Sequence, residues 1–244
     1  FIYQIVGADA EGVTEFFENK GYRNIDVISL HPYAWPDFIS PDVWLEDLLQ
    51  ETAKLQKKHG THLPVWITEV GAPHLGNSPD RFFGYPEENK KTGGLSPQDS
   101  VAFMTKFCVI ARSQNVEKIF WYNYQDRTDS REEAEAHFGM RDFWGYPKPV
   151  YAAYFQIQRL LGDSQGTPIQ DLPRGVKGFS FKNKKEKIVV VWREKESKTP
   201  LLFSLKKISR KTPSHVTDAV GQTVPVKAGK ISLNNFPVFL RFGF

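Results

Sequence analysis

The chain has 244 residues, 40% of them hydrophobic and 25% charged, with a net charge of +4. These are the proportions of a soluble globular protein long enough for one large domain or for a medium and a small one. No apolar run reaches membrane-spanning length, and the single cysteine, Cys108, excludes an internal disulfide.

Residues 2–6 form a first predicted strand, inside an apolar run that already begins at Phe1. We therefore expect the chain to be a piece of something longer. Asp9 is placed to cap a helix from about Ala10, with Val13, Phe16 and Phe17 on one face and Gly21 as its stop signal. Residues 25–30 make a second strand, which runs into His31-Pro32-Tyr33. Ser40-Pro41 predicts a helix start, Ser as N-cap and Pro at the first helical position. Trp44, Leu45, Leu48, Leu49 and Leu55 repeat at helical spacing ahead of Gly60.

The stretch PVWITEVGAP, residues 64–73, organises the rest. Its β-branched and aromatic run, closed by Gly71 and Pro73, reads as a buried strand, and Glu69 stands where that strand stops. A carboxylate is costly inside a sheet unless it is paired or used. At the C-terminal end of a parallel strand it faces the crevice where α/β proteins place their chemistry. Taken alone, an acidic residue at a strand end is most often a surface group.

A polar, Gly- and Pro-rich loop follows from Pro73 to Leu95. Ser96-Pro97-Gln98-Asp99 predicts a capped helix running through Phe103, Phe107 and Ile110, with Cys108 as a buried thiol. The fourth strand covers residues 118–122, a charged loop covers 126–148, and Pro149 starts a helix ending at Gly162. Strand and helix alternate four times, which predicts a parallel sheet with right-handed crossovers. Long loops after strands and short ones after helices are the asymmetry of a (β/α)8 barrel, but a complete barrel needs eight such units.

Beyond Gly162 the spacing shortens. Strands are predicted over 175–181, 188–192, 201–205, 224–226, 230–233 and 238–242, which suggests a small antiparallel sandwich. The boundary is expected near Ser164–Gly166. Lysines concentrate in this last third, at Lys182, Lys184, Lys185, Lys187, Lys206, Lys207 and Lys211. They read as solvated strand edges and turns, since a nucleic-acid surface would want aromatics interleaved among them on one face.

The ends of the predicted parallel strands collect a distinct set of side chains. The second gives His31, Tyr33 and Trp35, the third Glu69, and the fourth Trp121, Tyr122, Asn123, Gln125 and Asp126. Aromatic rings, a histidine and one carboxylate on one face are the make-up of a sugar site, since pyranose rings stack on aromatic faces and their hydroxyls need polar partners. Each residue also has an ordinary reading: Trp35 and Trp121 as core aromatics, His31 as a satisfied core histidine. Glu69, His31 and His74 fit no metal-ligand spacing, and no cofactor is expected.

DVISLHPY (26–33), PVWITEVG (64–71), FWYNYQD (120–126) and HFGMRDFWGYPKPVYAAY (137–154) occur in this order in clan A glycoside hydrolases. The chain resembles family 39 and its relatives, with some family 5 members as neighbours, over nearly all of residues 1–160. TDAVGQTVPVKAG (217–229) and FPVFL (236–240) are similar to the β-domain that often follows such barrels. The resemblance implies an α/β fold. Residues 1–164 would be the C-terminal half, strands five to eight, of a (β/α)8 barrel, and residues 165–244 a small antiparallel β-sandwich.

It implies a retaining glycosidase with Glu69 as nucleophile at the end of the seventh barrel strand. His31 and Tyr33 would hold that carboxylate or the sugar, and Trp121 would floor the subsite of the cleaved sugar. Trp35, Asn123 and Asp126 complete the expected substrate contacts. The family's acid/base glutamate follows an asparagine at the end of the fourth barrel strand. No Asn-Glu pair occurs here; Glu87-Glu88 precede Asn89 instead. An N-terminal half, as another chain or as further residues, is therefore an expected partner beside the carbohydrate substrate, and the chain alone is expected to show little turnover. Arg81, Lys90, Lys91, Arg127 and Arg131 stand in loops where they would suit an acidic sugar or simple surface solvation. The resemblance favours a secreted or periplasmic protein, although the chain carries no signal peptide to read. The alternative is a non-catalytic carbohydrate-binding protein on the same scaffold.

Overall fold

A computed structural model describes residues 9–34, 39–74, 94–130, 134–194 and 199–243, together with the backbone of residues 2–6. Trp35, Arg81, Lys90, Lys91, Arg131 and the Glu87-Glu88-Asn89 run lie outside the described residues.

Four strands, β1 (Ile2–Val6), β2 (Val27–His31), β3 (Val65–Val70) and β4 (Lys118–Trp121), form one parallel sheet in the order β1-β2-β3-β4. Each is followed by a helix: α1 (Ala10–Glu18), α2 (Leu45–Lys58), α3 (Pro97–Ser113) and α4 (Pro149–Leu161). The chain is thus a mixed α/β protein in which all strand ends that lead into helices lie at the same end of the sheet.

The local reasons are those of the sequence. Asp9 accepts from Gly12 N at 2.8 Å and opens α1. Ser96 accepts from Asp99 N at 3.1 Å and opens α3, with Pro97 at its first position. The expected Ser40 cap is absent. A short 3-10 turn, Pro41–Val43, intervenes, and α2 starts at Leu45 without a side-chain cap. Ser40 instead hydrogen-bonds the Asp42 carboxylate, a fully buried group that also receives Trp192 Nε1 at 3.0 Å and faces Lys106 Nζ at 3.4 Å.

Ile28, Leu30, Ile67 and Val70 turn one face of the sheet into a core shared with Val13, Phe17, Leu48, Phe107 and Ile157. α3 is buried along almost its whole length, because it packs between the parallel sheet and the β-strands that follow.

Those strands are β5 (Gly166–Pro168), β6 (Val176–Lys182), β7 (Glu186–Arg193), β8 (Leu201–Ser204), β9 (His215–Asp218), β10 (Lys230–Leu233) and β11 (Val238–Gly243). An antiparallel sheet of order β5-β6-β7-β11-β9 faces the helices with Phe179, Phe181, Val190 and Trp192. Its other face, with Val189, Val191 and Leu240, packs on Phe203, Ile231 and Leu233 of the β8–β10 pair.

The strand predicted over 224–226 is replaced by β9. Asp218 Oδ1 accepts from the backbone N–H of Val220 and Gln222 at 3.0 and 2.8 Å, closing a turn. The chain then folds back so that Val224 N donates to Val216 O at 3.0 Å.

Candidate active site

Between Ile67 and Val70 the β3–β4 register slips. Ile67 pairs with Ile119 and Val70 with Trp121, so β3 spends one residue more than β4 over this span. A bulge of this kind re-aims side chains. Ile67 and Val70 both enter the helix-side core, although strict alternation would oppose them. Thr68 and Glu69 are left to the opposite side.

There Tyr33 Oη donates to Glu69 Oε1 at 2.6 Å, and His31 Nδ1 lies 3.6 Å from Glu69 Oε2. The Glu69 side chain keeps 36% of its surface open, against 9% for His31. Behind them, His31 Nε2 meets Thr68 Oγ1 at 2.9 Å, and Thr68 Oγ1 hydrogen-bonds Ser29 Oγ. Ser29, Thr68 and His31 thus form a hydrogen-bonded chain that leaves Nδ1 as the ring nitrogen facing the carboxylate. Burial, and then the bond to Glu69, push the Tyr33 hydroxyl above its ordinary value. Tyr33 is thereby a permanent donor.

The fourth strand end divides differently from expectation. Trp121 packs edge-on against Phe103 of α3 at 6.3 Å and lines a cavity of about 240 Å³ with Cys108, Tyr154 and Ile157. It faces the helices and is not brought to Glu69. Its neighbour Tyr122 lies instead on the side of Tyr33, the hydrogen-bond donor to Glu69. Tyr122 and Tyr33 both pack edge-on against Phe138, at 5.6 and 6.0 Å, and the nearby Tyr122 hydroxyl adds a last, smaller push upward to that of Tyr33. Gly71 lets this happen, because a Cβ there would lie 2.0 Å from Tyr122 O.

Asn123 follows a cis peptide bond after Tyr122 and is tied by its backbone to Phe138 and Met140. Its side-chain Oδ1 is buried without a partner among the described residues.

Asp126 is no sugar ligand by position. It is buried, with Lys148 Nζ at 2.7 Å from Oδ1 and 2.6 Å from Oδ2, His137 Nδ1 at 3.0 Å and Gly139 N at 2.8 Å. Both carboxylate oxygens are consumed by the loop that carries Phe138. Burial, partly offset by Asp126, lowers the Lys148 ammonium from its ordinary value. His74 lies fully buried beside this cluster, its Nδ1 3.2 Å from Ala72 O, and desolvation pulls it well below the usual histidine range.

No group of three or more His, Cys, Asp or Glu among the described residues has a metal-holding arrangement. A cavity of about 680 Å³ lies between α1 and α2, lined by Glu11, Glu15, Asp47 and Glu51, and Glu69 borders neither it nor the cavity beneath β4. Thr68, Ser29 and Phe138 escaped the sequence reading, which placed Tyr122 at the strand end but gave it no role. Only the strand alternation that separates Trp121 from Tyr122 offered a signal.

The model of the glycosyl hydrolase catalytic core matches residues 8–154. The chain belongs to the glycosyl hydrolase catalytic core family. Its fold is similar to a family 39 glycoside hydrolase from Bacteroides cellulosilyticus WH2, at a TM-score of 0.68 and 19% identity, covering 94% of this chain and 46% of that one. It is also similar to a family 86 β-porphyranase from Bacteroides plebeius, at 0.56 and 18%, covering 93% and 43%. A third is a family 30 subfamily 8 xylanase from Clostridium acetobutylicum, at 0.50 and 11%, covering 100% and 55%. No protein of curated function matches by sequence. This member of the glycosyl hydrolase catalytic core family therefore spans about half the length of the solved structures it matches. No helix among its described residues is long and apolar enough to cross a membrane.

Proposed function

We propose that this chain carries the nucleophile half of a retaining glycosidase that cleaves O-glycosidic bonds of an oligo- or polysaccharide. In this reading residues 1–164 are barrel strands five to eight, and residues 165–244 are an accessory β-sandwich. Strands one to four, in an N-terminal half, supply the acid/base glutamate. The observation that carries it is the Glu69 carboxylate at the C-terminal end of β3, part-exposed and fixed by Tyr33 at 2.6 Å.

Chemically, a Glu69 oxygen attacks the anomeric carbon while the acid/base carboxyl, about 5–5.5 Å away, protonates the departing oxygen. The same carboxyl then takes a proton from water, which displaces Glu69 from the glycosyl intermediate. Tyr33 and His31 hold Glu69 in line, and Tyr122 supplies the aromatic wall expected of Trp121. The polymer-degrading relatives support a polysaccharide substrate.

Support for the missing half comes from β4. Its outer edge pairs with no strand among the described residues. Beside that edge Phe120 is 50% exposed, Phe155 of α4 is 63% exposed, and Trp121 Nε1 is buried without a partner among the described residues. A preceding strand and helix would cover these groups.

The test uses the full-length protein that contains this chain. A 2-deoxy-2-fluoro glycosyl fluoride panel should label the peptide carrying Glu69, and Glu69→Gln should abolish turnover of aryl glycosides while keeping sugar binding. Label on another carboxylate, or wild-type turnover by the Gln variant, would sink the assignment. Sugar binding without any turnover in wild type would favour a binding protein on this scaffold.

A further inference from the structure

We infer that the turn between Asp142 and Tyr146 is a carbohydrate-stacking subsite, separate from the carboxylate that breaks the bond. The inference rests on the glycosidase reading above and extends it to how a long substrate is held.

Trp144 is 70% and Tyr146 69% exposed, and Phe143 beside them is 39% exposed. Three large aromatics stand within four residues, all open to solvent in this chain, and clustered exposure of this kind marks an interaction surface. The turn beneath them is rigid. Asp142 N donates to Tyr146 O at 2.9 Å, Tyr146 N donates to Asp142 Oδ1 at 2.8 Å, and Gly145 takes the left-handed conformation at φ +87°. Gln125 Nε2 pins the Phe143 carbonyl at 2.9 Å, and the Phe143 and Trp144 rings meet edge-to-face at 5.1 Å. Rings held this way lose little freedom on binding.

Position supports a sugar as occupant. The turn is the tip of the segment that leaves the C-terminal end of β4, the same end at which β3 presents Glu69. It is joined to that end by Met140 N to Asn123 O at 3.0 Å and Arg141 N to Tyr124 O at 3.0 Å. Chemistry agrees. An indole face matches the C–H face of a pyranose ring, and a phenol beside it offers a hydroxyl to the equatorial oxygens. Arg141 is turned inward between the Tyr124 and Tyr151 rings, at 5.4 and 5.8 Å, so the patch does not present the cation array that nucleic acid needs.

The experiment is native affinity electrophoresis of the full-length protein in gels containing soluble xylan, mixed-linkage β-glucan or alginate, paired with steady-state kinetics. Wild type and Glu69→Gln should both be retarded by at least one polymer. Trp144→Ala should weaken that retardation about tenfold and Tyr146→Ala less. On the polymer, Trp144→Ala should raise KM by a similar factor, while kcat/KM on an aryl monoglycoside stays within about twofold. Both side chains are exposed in this chain, and circular dichroism of the full-length variants checks that neither truncation disturbs the fold. Wild-type migration unchanged by all three polymers would overturn the inference. So would unaltered retardation of both truncated variants, or equal losses on polymer and aryl glycoside. If Glu69→Gln keeps full turnover, the nucleophile assignment falls, whereas loss of retardation in Trp144→Ala still upholds the turn as a sugar surface.

Discussion

Tyr33 Oη and Glu69 Oε1 stand 2.6 Å apart, joining the ends of β2 and β3 through one charge-assisted hydrogen bond. A bond from a neutral donor to an ionised acceptor contributes about 1.5–3 kcal/mol. Tyr33→Phe should therefore lower kcat/KM of the full-length enzyme on aryl glycosides roughly ten- to a hundred-fold, with the fold intact by circular dichroism. An unchanged rate would mean that the hydroxyl does not hold the reacting carboxylate. The sign of the pH effect follows from the raised hydroxyl. An unfolded tyrosine ionises near pH 10 while the folded one does not, so the stability it contributes is complete below about pH 10 and is lost as pH climbs further.

Asp126 gives the opposite expectation from a sugar ligand. Asp126→Asn leaves Lys148 buried without its anion, which should cost about 3–5 kcal/mol in urea unfolding. In that variant the buried lysine folds best without its proton, so the unfolded chain binds more protons and stability rises with pH. The deficit should be largest near neutrality and shrink toward about pH 10. A stable variant with only a raised KM would return Asp126 to the substrate.

Gly71 marks the closest approach of β3 to the exit from β4. In Gly71→Ala the added Cβ would meet Tyr122 O at 2.0 Å and Phe138 Cδ1 at 2.8 Å. Backbone must then move, at a cost of about 3 kcal/mol or more. Thermal melts should show a large drop, and whatever folds should lose turnover because Tyr122 and Phe138 shift together. A melt within a degree or two of wild type would contradict this packing.

Cys108 lies buried in α3, and desolvation pushes its thiol up to about 12. Ellman's reagent near pH 8 should leave the native protein unmodified and react promptly once urea unfolds it. Fast modification of the native state would place α3 closer to solvent than the packing allows.

The parallel strands were legible because their apolar runs end at Gly, Pro or polar residues, and parallel pairing then brings His31, Tyr33 and Glu69 to one end. Nothing in the run TEV announces an extra residue in β3, so the bulge that turns Thr68 and Glu69 the same way was out of reach. The resemblance made Trp121, not Tyr122, the sugar platform, yet adjacent strand residues face opposite sides, and the helix core takes the larger ring. The Ser40 cap and the Asp126 sugar contact were lost to pairings that reach far along the chain. Ser40 is drawn to Asp42, which Trp192 and Lys106 hold in place, and Asp126 is held by Lys148, and local pattern carries no trace of those distant partners.

The Asp42 carboxylate has a consequence for how this architecture can be recombined. It takes a hydrogen bond from Trp192 of β7 and an ion pair from Lys106 of α3, while Lys177 of β6 reaches Glu46 at 2.6 Å. The seam between the two kinds of sheet is thus stitched by charges as well as filled with rings. A chimera that grafts a foreign β-module after Leu161 would strand Lys106 and Asp42 against an unmatched wall. Grafts that carry the indole and the lysine of β7 and β6 along with them have the groups needed to close that seam.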